Sequence, residues 1–224
     1  MLATDLQERV IRELKFDPSI DASRIGVTAT DGVVTLTGTV PAYLQRLQAE
    51  SAAKRVKAVK AVANEIQVRF PGDMKHTDTD IAHRAVDSLR WRSGIPAERI
   101  KATVSNGWVT LEGDVNFHFQ KQHAERAVSA LLGVLGVTNK LRVIALTDPK
   151  SDEVEREIRE ALVRRARLEA RSIDVRTEGS RVILEGEVDN WDEADEVETA
   201  AWQAPGVSDV QNNLRVASYV WTAI

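Results

Sequence analysis

The sequence predicts an α+β chain of three tandem αββαβ units, each a small three-stranded sheet with two helices on one face. Three observations carry this expectation. One stretch occurs three times without a gap, at residues 25–40, 100–115 and 173–188. Apolar residues at helical spacing precede and follow every copy. A shared phrase then follows each second helix: Val59-Lys-Ala-Val62-Ala-Asn64-Glu-Ile66, Gly133-Val134-Leu-Gly-Val137-Thr-Asn139-Lys-Leu141, and Gly206-Val207-Ser-Asp-Val210-Gln-Asn212-Asn-Leu214. The units are expected at 1–72, 73–147 and 148–218, with a short tail at 219–224.

The first helix of each unit shows as Leu6, Val10, Ile11 and Leu14, then Ile81, Ala85, Val86 and Leu89, then Val154, Ile158 and Leu162. Thr4 with Gln7 offers a capping box ahead of the first, and Asp17-Pro18 ends it. The repeated stretch is a β-hairpin, because its apolar residues alternate and its centre holds turn residues. Asp31-Gly32 and Asn106-Gly107 suit a type I′ turn, and Gly179-Ser180 suits type II′. The second helix presents a small-residue stripe: Ala49, Ala52, Ala53 and Val56, then Ala124, Ala127, Val128 and Leu131, then Val197, Ala200, Ala201 and Ala204. Alanine there implies close approach to the sheet. The third strand follows across a helical crossover, and Pro71-Gly72-Asp73 and Asp148-Pro149 mark the links between units. Links this short restrict independent movement.

Composition is that of an ordinary globular protein, at 43% hydrophobic and 29% charged residues. Cys is absent, which excludes disulfides and thiolate chemistry. The N-terminus has no basic-then-apolar leader and no run is long enough to span a bilayer, so the sequence as it stands reads as cytoplasmic, and as periplasmic only if a leader has been removed. Net charge is +2 over 1–72, +2 over 73–147 and −8 over 148–224, without the dominant basic field of a nucleic-acid binder. No nucleic-acid partner is therefore expected.

The phrases Val34-Thr-Leu-Thr-Gly38-Thr-Val40 and Gly-Val-x-x-Val-x-Asn-x-Leu resemble those of the BON (bacterial OsmY and nodulation) domain family, across residues 4–216. Gly38, Gly113 and Gly186, with the later Gly133 and Gly206, carry the likeness; the first unit departs from it with Ala58 at the later position. The resemblance implies an αββαβ fold and a role in binding phospholipid membranes, often in envelope or osmotic-stress proteins.

Candidate chemistry is sparse. His76, His83, His118 and His123 lack the i,i+3 or i,i+4 pairing that a helical metal site needs, so packing or solvated roles are expected. The acidic run from Asp189 to Glu198 lacks the sixth-position Gly and twelfth-position Glu of a calcium loop and reads as the start of a helix. Glu50, Glu125 and Glu198 recur at one helix position, and Asn64, Asn139 and Asn212 at one strand position; both sets are expected to bond nearby backbone. No catalytic residue, cofactor or metal is expected.

Two binding readings remain. Arg46, Lys54, Arg55, Lys57 and Lys60 concentrate charge along the second helix of the first unit, while Tyr43, Phe117, Phe119 and Trp191 lie near the starts of the second helices. Together they are the candidate contact to an anionic phospholipid surface. The rival is a soluble, chaperone-like stress protein that holds a protein partner on an exposed sheet face or edge, with Phe16, Trp91 and Trp221 as anchors. The oligomeric state does not follow from the sequence.

Overall fold

The computed structural model describes residues 3–70, 72, 76–144, 154–158, 160 and 173–217. The first unit runs α1 (Ala3–Phe16), β1 (Ile25–Thr30), β2 (Val33–Val40), α2 (Tyr43–Arg55), β3 (Ala61–Asn64) and β4 (Gln67–Val68). The second runs α3 (Asp78–Trp91), β5 (Ile100–Ser105), β6 (Trp108–Val115), α4 (His118–Ser129) and β7 (Gly136–Val143). The third has α5, described over 154–158, then β8 (Ile173–Glu178), β9 (Arg181–Val188), α6 (Trp191–Gln203) and β10 (Asp209–Val216).

Each sheet has the hairpin's second strand at its centre, antiparallel to the first strand and parallel to the last. Leu36↔Asn64, Leu111↔Asn139 and Leu184↔Asn212 are the same pair in three units. In the first unit the last strand is recorded as two pieces, β3 and β4, so that sheet counts four strands. The register does not slip between the pieces, since Glu65 still donates its N–H to the Leu36 carbonyl. The hairpin turns match their sequences. Asp31 and Gly32 (φ 52° and 86°) and Asn106 and Gly107 (φ 50° and 75°) take left-handed φ at both centres, while at the third turn only Gly179 (φ 60°) does.

Inward residues of strands and helices form one core per unit: Val34, Leu36 and Val40 against Leu14 and Ala53, then Val109, Leu111 and Val115 against Ile81 and Ala127, then Val182 and Leu184 against Ile158 and Ala201. The stripe is buried except at its last position in the second and third units, where Leu131 and Ala204 are partly exposed. Val86 departs from its expected place and is solvent-exposed, because five residues past Ile81 is well off the buried face of a 3.6-residue helix. Thr4 is another departure: α1 already begins at Ala3, so Thr4 lies within the helix. A capping box does form in the second unit, two residues before the position that matches Thr4: Asp80 donates its N–H to Thr77 Oγ1 and Thr77 donates its own to Asp80. Leu162 and Trp221, and most of both links, lie outside the described residues.

Gly38, Gly113 and Gly186 interrupt the central strands at φ 118°, 138° and 141°. A Cβ at Gly38 would run into the Arg24 carbonyl oxygen, and one at Gly113 into that of Arg99. Only glycine allows this backbone and this approach. The later motif position also needs left-handed φ, at Gly133 (96°) and Gly206 (82°), and Ala58 adopts it too (75°).

Candidate functional site

The recurring Glu and Asn are one device. Asn64 Nδ2 donates to Glu50 at 3.1 Å, Asn139 Nδ2 to Glu125 at 3.0 Å and Asn212 Nδ2 to Glu198 at 2.9 Å. Each Asn Oδ1 accepts an N–H two residues on, from Ile66, Leu141 or Leu214. The carboxylate therefore grips a side-chain amide, where a loop backbone was expected, and ties the second helix to the edge strand. Burial pushes the Glu50 carboxyl up, but hydrogen bonds from Lys54 and Asn64 outweigh it and hold the group below its ordinary value. The acidic run of the third unit caps α6: Glu193 donates its N–H to Asn190 Oδ1 and accepts that of Asp189. Among the described residues no cluster of acidic or His side chains could hold a metal.

The expected row of cations along the second helix is shorter than the sequence suggested, since α2 ends at Arg55 and Lys57 and Lys60 lie between it and β3; four of the five cations face partners. Lys54 meets Glu50 at 2.7 Å, Arg55 meets Glu13 at 2.9 Å and Asp17 at 3.6 Å, and Arg46 donates to the Asn64 carbonyl at 3.0 Å. Lys57 reaches Asp189 of the third unit at 3.2 Å. Lys60 is exposed, with its aliphatic stem beside Gly32 of the hairpin turn.

Two of the four candidate aromatics also turn inward. Tyr43 is 8% exposed, packs in the core of the second unit and meets the Val137 backbone; burial pushes its hydroxyl pKa up. Trp191 is half-buried and donates its indole N–H to the Val59 carbonyl of the first unit at 3.1 Å. Each ring contacts a unit other than its own, so both act as joints between units.

Phe117 and Phe119 remain outside, 48% and 46% exposed, with ring centroids 5.6 Å apart. They stand beside the end of α3, which sequence alone did not connect to them. Phe119 lies against Gly94, and Gln120 donates to the Gly94 carbonyl while accepting the N–H groups of Asn116 and Phe117. This brace brings the loop after Trp91 up to the start of α4. Trp91 is 87% exposed, and Arg90 and Arg92 on either side of it are exposed as well. The second unit thus exposes three aromatics and two arginines, Phe117 and Phe119 at the start of α4 and Trp91 with Arg90 and Arg92 at the end of α3. In the first unit Phe16 is equally bare, at 85%, but it is followed by Asp17, and no aromatic matches Phe117 or Phe119.

The sheet faces turned away from the helices are largely polar, but Val33 on the first and Trp108 on the second are 45% and 46% exposed there, Trp108 donating its indole N–H to Thr138 Oγ1. Thr28, Thr35 and Thr37 lie on the first, Thr103, Thr110 and the Lys140–Glu112 and Arg142–Asp114 pairs on the second, and Arg176 between Asp174 and Glu185 on the third. None of the described helices is long and apolar enough to cross a membrane.

The BON domain model matches residues 3–69, 77–145 and 150–218 of this chain. Osmotically-inducible protein Y of Escherichia coli (strain K12) is 29% identical over 133 residues, which cover 55% of this chain and 64% of that protein, less than two thirds of its length. Among solved structures, CdsD, a structural protein of the type III secretion system of Chlamydia trachomatis, aligns over 95% of this chain and 92% of its own at 15% identity. The TM-score is 0.27, too low to support any inference about fold or function.

Proposed function

The chain belongs to the BON domain family, as three tandem copies, and from that premise we propose that it is a non-enzymatic protein that attaches peripherally to anionic phospholipid, in the setting of osmotic or envelope stress. The exposed edge of the second unit carries the reading: Trp91, Phe117 and Phe119 supply apolar insertion, and Arg90 and Arg92 supply charge at headgroup level. Aromatic rings flanked by cations suit an interface whose apolar interior lies beneath an anionic layer. Each arginine near such a surface contributes about 1 kcal/mol, and partial burial of each ring adds roughly 1–2 kcal/mol. Attachment of that strength is reversible and salt-sensitive.

The cations on and just after α2 support this reading less than their clustering suggests, because Lys54, Arg55 and Lys57 already face carboxylates. A protein partner held on an open apolar sheet is supported less again, because Val33 and Trp108 stand there among threonine and charged pairs and form no continuous apolar face. The test is tryptophan emission with phosphatidylcholine–phosphatidylglycerol vesicles. A blue shift that disappears in Trp91→Phe is expected; a shift of equal size in that variant counts against the edge.

A further inference from the structure

Tyr43, His118 and Trp191 each stand five residues after a motif glycine, Gly38, Gly113 or Gly186. Each reaches out of its own unit. Tyr43 enters the second unit, His118 stacks on Trp202 of the third, and Trp191 bonds to Val59 of the first. One helix-start position therefore makes three joints, all running in the same direction around a closed ring of units.

The His118 joint differs from the other two. Tyr43 and Trp191 each have a polar partner across the joint, whereas His118 Nδ1 is buried with no hydrogen-bond partner among the described residues. The imidazole lies flat on the indole, with centroids 4.1 Å apart and planes within 12°. The charges acting on it are Lys121 on α4 and Glu198 on α6, and Glu198 is held by the Trp202 N–H at 3.2 Å and by Asn212. His118 also sits between Phe117 and Phe119, the two rings that face the other way.

We infer that the joint between the second and third units is an acid-released hinge for the aromatic edge. Protonating His118 unseats it from Trp202 and frees the helix start that carries Phe117 and Phe119. The inference rests on the membrane reading of that edge. An imidazolium in this seat would bury a charge with no acceptor for its Nδ1–H and would face Lys121. Attraction of a cation to the indole face and to Glu198 works the other way. Burial first, and Lys121 second, hold the His118 pKa below its ordinary 6.5, so the opposing attractions lose. A depressed histidine pKa means that joint stability is complete above that ordinary value and declines as pH falls below it. An anionic membrane adds to the effect, since a surface potential of about −30 mV concentrates protons roughly threefold.

The test compares the intact chain with His118→Phe, which keeps a flat ring and removes the proton site. Binding to phosphatidylcholine–phosphatidylglycerol vesicles is measured at about pH 7.5 and about pH 5.5, on either side of the histidine range. Wild-type affinity is expected to rise on acidification by about threefold or more beyond the rise in the variant. By reciprocity, vesicles raise the pH at which the His118 ring titrates, read by NMR. Equal pH slopes with normal neutral-pH binding, or an unmoved titration, overturn the hinge and leave the membrane reading standing. Absence of binding by wild type at either pH overturns both.

Discussion

Ala58 occupies a backbone conformation that the other two units give to glycine, and replacing it with glycine should stabilise the first unit. Its φ is 75°, against 96° at Gly133 and 82° at Gly206. Left-handed φ costs an L-residue about 1–2 kcal/mol that glycine avoids. Glycine in turn loses more freedom on folding, about 0.4–1 kcal/mol relative to alanine. The net expectation for Ala58→Gly is a gain of about 0.5–1 kcal/mol, or roughly 1–4 °C in Tm for a chain of this size. The reciprocal change, Gly133→Ala, carries the same backbone cost and places a Cβ 2.6 Å from that of His76 and 2.9 Å from the Ile81 side chain. That variant should lose about 1–3 kcal/mol. Urea unfolding followed by circular dichroism measures both. A neutral or destabilising Ala58→Gly would refute the reasoning, because it would mean that the strain at Ala58 is not stored in the backbone.

Asn139→Ala should cost about 1–3 kcal/mol, since it leaves the Glu125 carboxylate half-buried without its amide partner, and Asn212→Ala should cost less because Asn212 is exposed; urea midpoints of the two variants check the order. Trp191→Phe keeps most of the ring and deletes the bond to Val59, so hydrogen exchange should show α6 opening more readily by about 0.5–1.5 kcal/mol, with unchanged protection in the second unit.

Much of the fold was legible because local signals agreed with one another. Alternation, turn chemistry and the alanine stripe each specify a unit, and the turns at Asp31-Gly32 and Gly179-Ser180 follow from which residues tolerate positive φ. Functional surfaces were less legible, because exposure depends on how units meet. Tyr43 and Trp191 are aromatic at helix starts, as membrane-facing residues would be, yet the same chemistry makes them good joints. Lys54 four residues after Glu50 was a legible helix pair, but clustering of Arg55 and Lys57 gave no sign that Glu13 and Asp189 would stand opposite them. Gly94 and Phe119 are far apart in sequence and meet beside the Gln120 brace, a contact with no periodic signature. His118 could have been found: counting from Gly113 puts it where Tyr43 stands after Gly38.

Co-sedimentation with anionic and neutral vesicles at low and high salt tests the central claim most directly. Wild type is set beside an edge variant, Trp91→Ser with Phe117→Ser and Phe119→Ser, and an α2 variant with Lys54, Arg55, Lys57 and Lys60 changed to Ala. The account expects salt-sensitive binding to anionic vesicles that the edge variant loses and the α2 variant largely keeps. Binding that survives in the edge variant, or that wild type never shows, would contradict it.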